Sequence, residues 1–186
     1  MEKTYITAQS LLEDSFRLAA KVYEDGFRPK FVIGIWRGGT PVGIAVQEYF
    51  EFKEVETDHI AVRTSSYYGI NKQSKTIKVH GLQYLIENAN ADDSLLIVDD
   101  VFDSGRSVDA LINQMKQSMR LNYPKDVRVA TPWYKPGNNK TKMVPDYYVH
   151  ETSEWLVFPH ELKGLTDDEI KEKSDLANVM ALFVKP

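Results

Sequence analysis

The sequence predicts an α/β fold in one domain, with a central, mostly parallel sheet that helices flank on both sides. Two segments carry this prediction: in each, a short apolar strand runs through a glycine-containing turn into a helix, first from residue 31 and again from residue 94. Repeated strand, turn and helix units place their strands in parallel and cover both faces of the sheet. With 186 residues, of which 42% are hydrophobic, the chain is long enough to bury one core without disulfides.

The first elements follow from periodicity and from residues that begin or end helices. Residues 8–25 carry apolar side chains at helical spacing, and Gly26 supplies the stop. The apolar run at 31–36 predicts a strand, which a turn with two glycines follows. Thr40 is expected to cap the next helix, with Pro41 at its first position, because threonine accepts hydrogen bonds from free helix amides and proline lacks an amide hydrogen.

The second unit begins with the apolar strand at 94–102, and the loop at 103–107 leads from it into a helix. Further predicted strands cover residues 59–64, 76–79, 127–131 and 146–150. Proline, glycine, asparagine and lysine gather at 136–145 and predict a loop. A terminal helix is expected from Thr166 onward because three acidic residues occupy its first turn.

Composition and charge exclude several classes of function. The 23 basic and 27 acidic residues give a net charge of −4, which disfavours a nucleic-acid partner held by a basic surface. The chain has no cysteine, so disulfides, thiolate nucleophiles and cysteine-based metal sites are excluded. Any metal is therefore expected to be a hard cation such as Mg²⁺. The sequence shows neither a signal peptide nor a membrane span, and a cytoplasmic location is expected.

The most informative segment is the run LLIVDDVFDSGRS at residues 95–107. An apolar strand delivers two adjacent carboxylates, Asp99 and Asp100, and a loop of small residues then opens a helix. Backbone amides and hydroxyls from Ser104 to Ser107 can converge at the positive end of that helix and hold a phosphate monoester. The carboxylates can reach sugar hydroxyls or a hydrated Mg²⁺. An acidic strand end before a serine-capped helix would explain part of this pattern, whereas the full order of residues favours a phosphoribosyl diphosphate site.

This run resembles the phosphate-binding motif of the type I phosphoribosyltransferases, and three further segments narrow the resemblance to their purine branch. IWRGGTPVG (35–43) is similar to the pyrophosphate loop of bacterial xanthine-guanine phosphoribosyltransferases, RTSSYYG (63–69) to the start of their mobile catalytic loop, and residues 129–161 to their base-recognition region. The resemblance spans about residues 5–163. It implies the type I phosphoribosyltransferase fold in a single domain over 1–186, with a small hood from about 146–186 and part of the N-terminus.

The resemblance also implies roles for individual residues. Asp103 is expected beside N7 of a purine, where it can accept or return a proton, and Arg37 beside the departing pyrophosphate; these are the expected catalytic residues. The residues expected to bind phosphoribosyl diphosphate are Arg37, Gly38, Lys75, Asp99, Asp100, Asp103, Ser104, Gly105, Arg106 and Ser107. Those expected to bind the purine are Asp103, Lys135, Trp155 and Leu156, and those expected to begin the mobile loop are Ser65, Ser66 and Tyr67. The expected Mg²⁺ ligands are Asp100, Asp99 and Glu161.

The implied reaction joins a 6-oxopurine (hypoxanthine, guanine or xanthine) to 5-phosphoribosyl 1-diphosphate in purine salvage. Lys135 would donate to O6 of the base and disfavour adenine, whose 6-amino group is itself a donor. Glu161 stands where the resembling enzymes carry aspartate, so the sequence does not decide whether a second Mg²⁺ binds. Two alternatives stay open: a regulator that senses phosphoribosyl diphosphate or a nucleotide without catalysis, and a transferase for another base. A homo-oligomer is expected from the resemblance, and residues 164–186 receive no role.

Overall fold

The fold is described for residues 3–68 and 75–183 of a computed structural model, without the side chains of residues 66–68 and 75–76. Its helices are α1 (Ala8–Glu24), α2 (Gly39–Phe52), α3 (Gln83–Asn88), α4 (Arg106–Met119) and α5 (Asp167–Lys171). Its strands are β1 (Lys3–Tyr5), β2 (Phe31–Trp36), β3 (Asp58–Tyr68), β4 (Lys75–His80), β5 (Ser94–Val98), β6 (Val101–Phe102), β7 (Asp126–Tyr134), β8 (Tyr147–Glu151) and β9 (Trp155–Val157). None of the helices in these two ranges is long and apolar enough to cross a membrane.

The strands form a central sheet and a small separate sheet. Within the described residues the central sheet has seven strands in the order β4, β3, β2, β5, β7, with β6 and β8 both paired to β7. Neighbouring strands are parallel except for β3 and β4, which are antiparallel. The small sheet pairs β1 with β9 in parallel. The predicted α/β class, with a mostly parallel sheet flanked by helices, is confirmed.

Apolar side chains cover both faces of the central sheet, and β5 shows why its sequence is an unbroken apolar run. Leu96 and Val98 pack with α1 and α2 on one face, whereas Leu95 and Ile97 pack with α3 and α4 on the other. Successive side chains of a strand point to opposite faces, so all four are buried only because both faces are covered. This packing fixes the carboxyl end of β5, where the acidic pair begins.

Helix α2 begins earlier than the sequence predicts. Gly39 is its first residue and Gly38 its cap, so the prediction of Thr40 as cap and Pro41 at the first helical position is wrong. The Thr40 hydroxyl is buried and, among the described residues, has no hydrogen-bond partner. Local capping rules fail here because the turn before α2 packs closely against the end of β5, a contact between segments distant in sequence.

The terminal helix begins where predicted and ends early. Thr166 caps α5 and exchanges hydrogen bonds with Glu169 in a capping box. The chain leaves the α-helix after Lys171 and continues as a 3-10 helix over Ser174–Phe183. The acidic first turn predicted the start correctly, and the segment contacts the N-terminal part of the chain through an ion pair of Glu169 with Lys3.

A polar cluster ties the end of α1 to β7 and β8. Arg128 on β7 and the Tyr147 hydroxyl on β8 both donate hydrogen bonds to Asp25 Oδ2, each at 2.7 Å. Burial raises the pKa of Tyr147 to about 12, the hydrogen bond to Asp25 raises it as well, and the charge of Arg128 opposes both. The neutral phenol is therefore the form that the fold stabilises.

This cluster predicts a loss of stability in alkali. Because the pKa of Tyr147 is about 12 in the fold and about 10 in an unfolded chain, its contribution is complete below about pH 10 and is lost as the pH rises through 12. The difference is worth roughly 2 to 3 kcal/mol. Urea unfolding at about pH 9 and about pH 12 should show this loss in the wild type and a smaller one in Tyr147→Phe. An equal loss in both proteins would contradict the assignment.

Candidate active site

The turn between β2 and α2 lies against the carboxyl end of β5. A β-carbon on Gly39 would overlap the carbonyl oxygen of Val98 and lie 2.7 Å from the Cα of Asp99. A β-carbon on Gly38 would overlap the carboxylate of Asp100. Both positions therefore require glycine for close approach rather than for an unusual backbone conformation. The approach brings the backbone of this turn directly beside the acidic pair.

Asp99 and Asp100 form a closely interacting carboxyl pair. The backbone amide of Asp100 donates to Asp99 Oδ1 at 3.0 Å. Burial raises the pKa of Asp99 well above its ordinary range, and the negative charge of Asp100 raises it further. Asp100 Oδ2 lies 3.3 Å from Nε2 of His160, whose ring stacks on Phe158 at a centroid distance of 5.8 Å. The neutral form of Asp99 is therefore favoured, and the Asp100 side chain lies beside an imidazole.

The N-terminus of α4 opens into a cavity of about 380 Å³. Gly105 caps this helix with a φ of +73°, a left-handed conformation that favours glycine, and leaves no side chain over the first helical amides. The free amides and the helix dipole make such an end attractive to a phosphate group. The lining residues are Ile77, Asp103, Ser104, Arg106, Ser107, Asn138 and Lys140.

A second cavity, of about 350 Å³, adjoins the first, and Asp103 and Asn138 line both. One of its walls carries the buried side chain of Lys135, whose Nζ lies 3.8 Å from Oδ2 of Asp103. Another carries Trp155, which is 55% exposed. The remaining lining residues are Asp100, Val101, Ser153, Glu154, Leu156, Phe158 and Glu161. A flat, polar heterocycle fits a cavity with aromatic and aliphatic walls and a buried cation.

Most of the predicted site residues border these cavities or a third one of about 70 Å³ beside them. They are Asp99, Asp100, Asp103, Ser104, Gly105, Arg106, Ser107, Lys135, Trp155, Leu156 and Glu161. Arg37 is exposed in the turn after β2 and is joined to Trp36 by a cis peptide bond. Gly38, next to it, faces Asp100. The fold therefore brings together residues from three separate regions of the sequence.

The predicted mobile loop begins inside a strand. β3 and β4 form an antiparallel pair, and the backbone of Ser65, Ser66 and Tyr67 takes part in it. The resemblance implied the start of a loop here, and the polar sequence also suits an antiparallel edge pair, which can expose one face to water. The side chains of Ser66, Tyr67 and Lys75, together with residues 69–74, lie outside the described part of the chain, so their roles stay predictions.

The acidic residues near the second cavity suit a cation only when a substrate supplies further ligands. Glu161 Oε2 accepts a hydrogen bond from the Phe158 amide at 3.1 Å, which uses part of this carboxylate within its own turn. In residues 3–68 and 75–183, no three acidic or histidine side chains gather into a cation site. Asp99 and Asp100 nevertheless offer adjacent oxygen donors. Mg²⁺ is commonly held by one or two carboxylates together with substrate phosphates and water, and this donor set fits that mode.

The structure also adds residues that the sequence analysis missed. Asn138 lines both cavities and Lys140 lines the one at α4, although the sequence marked this segment only as a loop. His160 contacts Asp100, and no role was predicted for it. Lys173, in the segment left without a role, is buried, which lowers its pKa, while the charges of Glu161 and other acids oppose that shift. Only tertiary structure brings these side chains to the site.

A family model described as "Phosphoribosyl transferase domain" matches residues 3–164. Comparison with curated protein sequences found no match. Residues 165–183, which include α5 and the 3-10 helix, lie beyond the region that the family model covers.

Several solved structures share the fold. A purine phosphoribosyltransferase from Pyrococcus horikoshii is 26% identical, with a TM-score of 0.68, over 89% of this chain and 98% of that one. A hypothetical protein from Neisseria gonorrhoeae with bound ppGpp is 20% identical, with a TM-score of 0.71, over 95% of this chain and 97% of that one. The Helicobacter pylori xanthine-guanine-hypoxanthine phosphoribosyltransferase is 17% identical, with a TM-score of 0.69, over 97% of this chain and 99% of that one.

Proposed function

The chain belongs to the phosphoribosyl transferase domain family, and from this premise we propose that it joins a 6-oxopurine to 5-phosphoribosyl 1-diphosphate. The products are the nucleoside 5′-monophosphate and pyrophosphate. Membership in the family confirms the resemblance inferred from the sequence, and the solved structures of similar fold include purine phosphoribosyltransferases. The choice of base, the dependence on Mg²⁺ and the oligomeric state go beyond this and are part of the proposal.

One observation carries the proposal: two cavities of different chemistry meet at Asp103. The cavity at the N-terminus of α4 has free helix amides and hydroxyls, which suit the 5′-phosphate of a ribose. The other has an aromatic wall and the buried ammonium group of Lys135, which suit a purine with an oxygen at position 6. A sugar that spans the two would pass beside the acidic pair.

The proposed reaction is a displacement at C1 of the ribose. The bond from C1 to the pyrophosphate oxygen breaks, the bond from C1 to N9 of the purine forms, and Asp103 accepts the proton that the base releases. Arg37 lies in the turn beside Asp100 and would neutralise charge on the departing pyrophosphate. The protein thus contributes position and electrostatics.

Mg²⁺ is part of the proposal, with Asp100 as its main protein ligand. Asp99 is less suited to bind a cation directly, because burial and the neighbouring charge favour its neutral form. Glu161 keeps one carboxylate oxygen outside the hydrogen bond to Phe158. When bound, Mg²⁺ would withdraw negative charge from the diphosphate.

A spectrophotometric assay tests the choice of base. With phosphoribosyl diphosphate and Mg²⁺, we expect turnover of hypoxanthine, guanine or xanthine. The rate with adenine should be lower by a factor of about 100 or more. The reason is that an adenine amino group cannot accept a hydrogen bond from the buried Lys135 ammonium group, which would then face another donor.

Lys135→Met provides the matched variant for this assay, because it keeps the length of the side chain and removes its donors. We expect it to raise KM for the oxopurine about 10-fold or more, whereas Lys125→Met, at a side chain that is 78% exposed, should stay within about twofold of wild type. Adenine turnover equal to that of the oxopurines would contradict the proposed specificity.

A second candidate function is a sensor that binds a nucleotide or phosphoribosyl diphosphate without turnover. The observation in its favour is the similar fold of the N. gonorrhoeae protein, which carries bound ppGpp. The joint presence of Asp103 and Lys135 at the second cavity favours catalysis instead, because a sensor needs no proton acceptor there. Calorimetric binding of phosphoribosyl diphosphate without turnover of any purine would favour the sensor.

A further inference from the structure

A buried lysine lies in the C-terminal segment, outside the family domain. Lys173 is 4% exposed, and its Nζ donates to the carbonyl oxygens of Phe158 at 2.6 Å and Glu161 at 2.9 Å. Removing an ammonium group from water is costly unless hydrogen bonds replace the lost hydration. The two carbonyls provide these bonds, and they belong to a single turn.

The turn that Lys173 holds forms part of the second cavity, the one lined by Lys135 and Trp155. The Glu161 amide donates to the Phe158 carbonyl at 3.0 Å, and the Phe158 amide donates to the Glu161 carboxylate at 3.1 Å. Both residues line the cavity. His160, between them in sequence, reaches Asp100 at 3.3 Å. A shift of this turn would therefore move a wall of the proposed purine subsite and the imidazole beside the acidic pair.

The segment that carries Lys173 is attached to the N-terminal part of the chain at two more points. Glu169 forms an ion pair with Lys3 on β1, and Asp175 Oδ2 accepts from the amide of Ala8 at 2.8 Å. Ala8 is the first residue of α1, so Asp175 satisfies one of its free helix amides. Lys3 lies on β1 opposite Trp155 on β9, so one of these contacts adjoins the strand that supplies the aromatic wall.

We propose that Lys173 is a positioning residue for the purine subsite, through which the C-terminal segment sets the affinity for the base. The proposal rests on the proposed function for the identity of that ligand. The cavity at α4 contains no residue of the Phe158 to Glu161 turn, so the 5′-phosphate contacts there do not involve Lys173, and the affinity for the base should change more than that for phosphoribosyl diphosphate. A purely structural role would change stability and leave the ratio of the two substrate affinities unaltered.

Steady-state kinetics of Lys173→Met test the proposal. Methionine keeps the apolar stem and removes the donors, leaving two buried carbonyls with fewer partners. We expect KM for the preferred oxopurine to rise about tenfold, with KM for phosphoribosyl diphosphate within about twofold of wild type. The control is Lys171→Met, at a side chain that is 66% exposed and pairs with Asp168, and it should match wild type. An unchanged KM for the base, or equal changes in both KM values, would overturn the proposal.

A readout without turnover separates this proposal from the proposed function. In hydrogen–deuterium exchange on the full chain, the amides of Phe158 and Glu161 should exchange about tenfold faster in Lys173→Met, while those of β7 keep their protection. Faster exchange in a protein that turns over no oxopurine would mean that the proposed function fails while Lys173 still positions the turn. Unchanged exchange at these two amides would overturn the positioning role, whatever the enzyme assay shows.

A second variant covers the case in which Lys173→Met does not fold. Asp175→Ala removes the contact with the Ala8 amide on the outside of the same segment and touches neither cavity. We expect it to raise KM for the base about threefold and to leave KM for phosphoribosyl diphosphate unchanged. Asp175→Ala with a wild-type KM for the base would contradict control of the subsite by this segment.

Discussion

Replacing Asp103 by asparagine is expected to lower kcat about 100-fold or more, with KM for both substrates within about threefold of wild type. Asparagine keeps the size and hydrogen-bonding capacity of the side chain but cannot accept the proton that the purine releases. The effect should therefore fall on the chemical step rather than on binding.

The position of Asp103 explains why its carboxylate is free for this task. It follows β6 at the point where both cavities meet, and its side chain is 47% exposed. Helix α4 is capped by Gly105, so capping does not occupy the carboxylate. Among residues 3–68 and 75–183, its ion-pair partner is Lys135, at 3.8 Å. This separation leaves room for the edge of a base to approach both groups.

Asp92→Asn is the matched control for Asp103→Asn, because this carboxylate is 97% exposed before β5, at the opposite edge of the sheet. Its kcat should equal that of wild type. A near-normal kcat in Asp103→Asn would exclude the proton transfer to this residue. A large rise in KM with kcat unchanged would instead indicate that Asp103 contributes to binding alone.

The parts of the fold that the sequence predicts best are those in which local pattern and tertiary burial agree. The apolar run at 31–36 coincides with β2, because a strand covered on both faces must be apolar at every position. The run at 94–102 contains β5 and β6, and the loop after it leads into α4. The acidic pair and the small-residue loop lie where predicted because they directly follow these strands in sequence.

The remaining features depend on contacts between distant segments. His160 reaches Asp100, and Lys173 reaches the turn that contains His160, yet no local pattern links the three positions. In the same way, Asn138 and Lys140 belong to a segment whose composition indicates a loop but not the direction of its side chains. In a single sequence, such loops are predicted from the absence of apolar periodicity. That absence does not indicate which cavities the loop residues line.

At the two adjacent glycines after β2, the local helix-capping prediction and the tertiary contacts disagree. Thr40 has the better capping side chain, yet the helix begins at Gly39 because only glycine fits against Val98 and Asp99. Gly38, one position earlier, meets the end of a side chain instead of backbone. Substitution by alanine should therefore lower stability at Gly39 and activity at Gly38.

Gly39→Ala is expected to destabilise the fold by about 3 kcal/mol or more, because its methyl group meets the backbone of β5, which cannot move without disturbing the core.

Gly38→Ala is expected to lower the free energy of unfolding by about 1 kcal/mol or less. It should lower kcat/KM for phosphoribosyl diphosphate about 100-fold, because the displaced group is the Asp100 carboxylate. Gly137→Ala is the control, since a β-carbon there has no atom within 4 Å. Urea unfolding and steady-state kinetics of the three variants check these expectations. A Gly38→Ala protein with normal kcat/KM would show that the position of Asp100 is unimportant for the reaction, and the proposed site would lose its metal ligand.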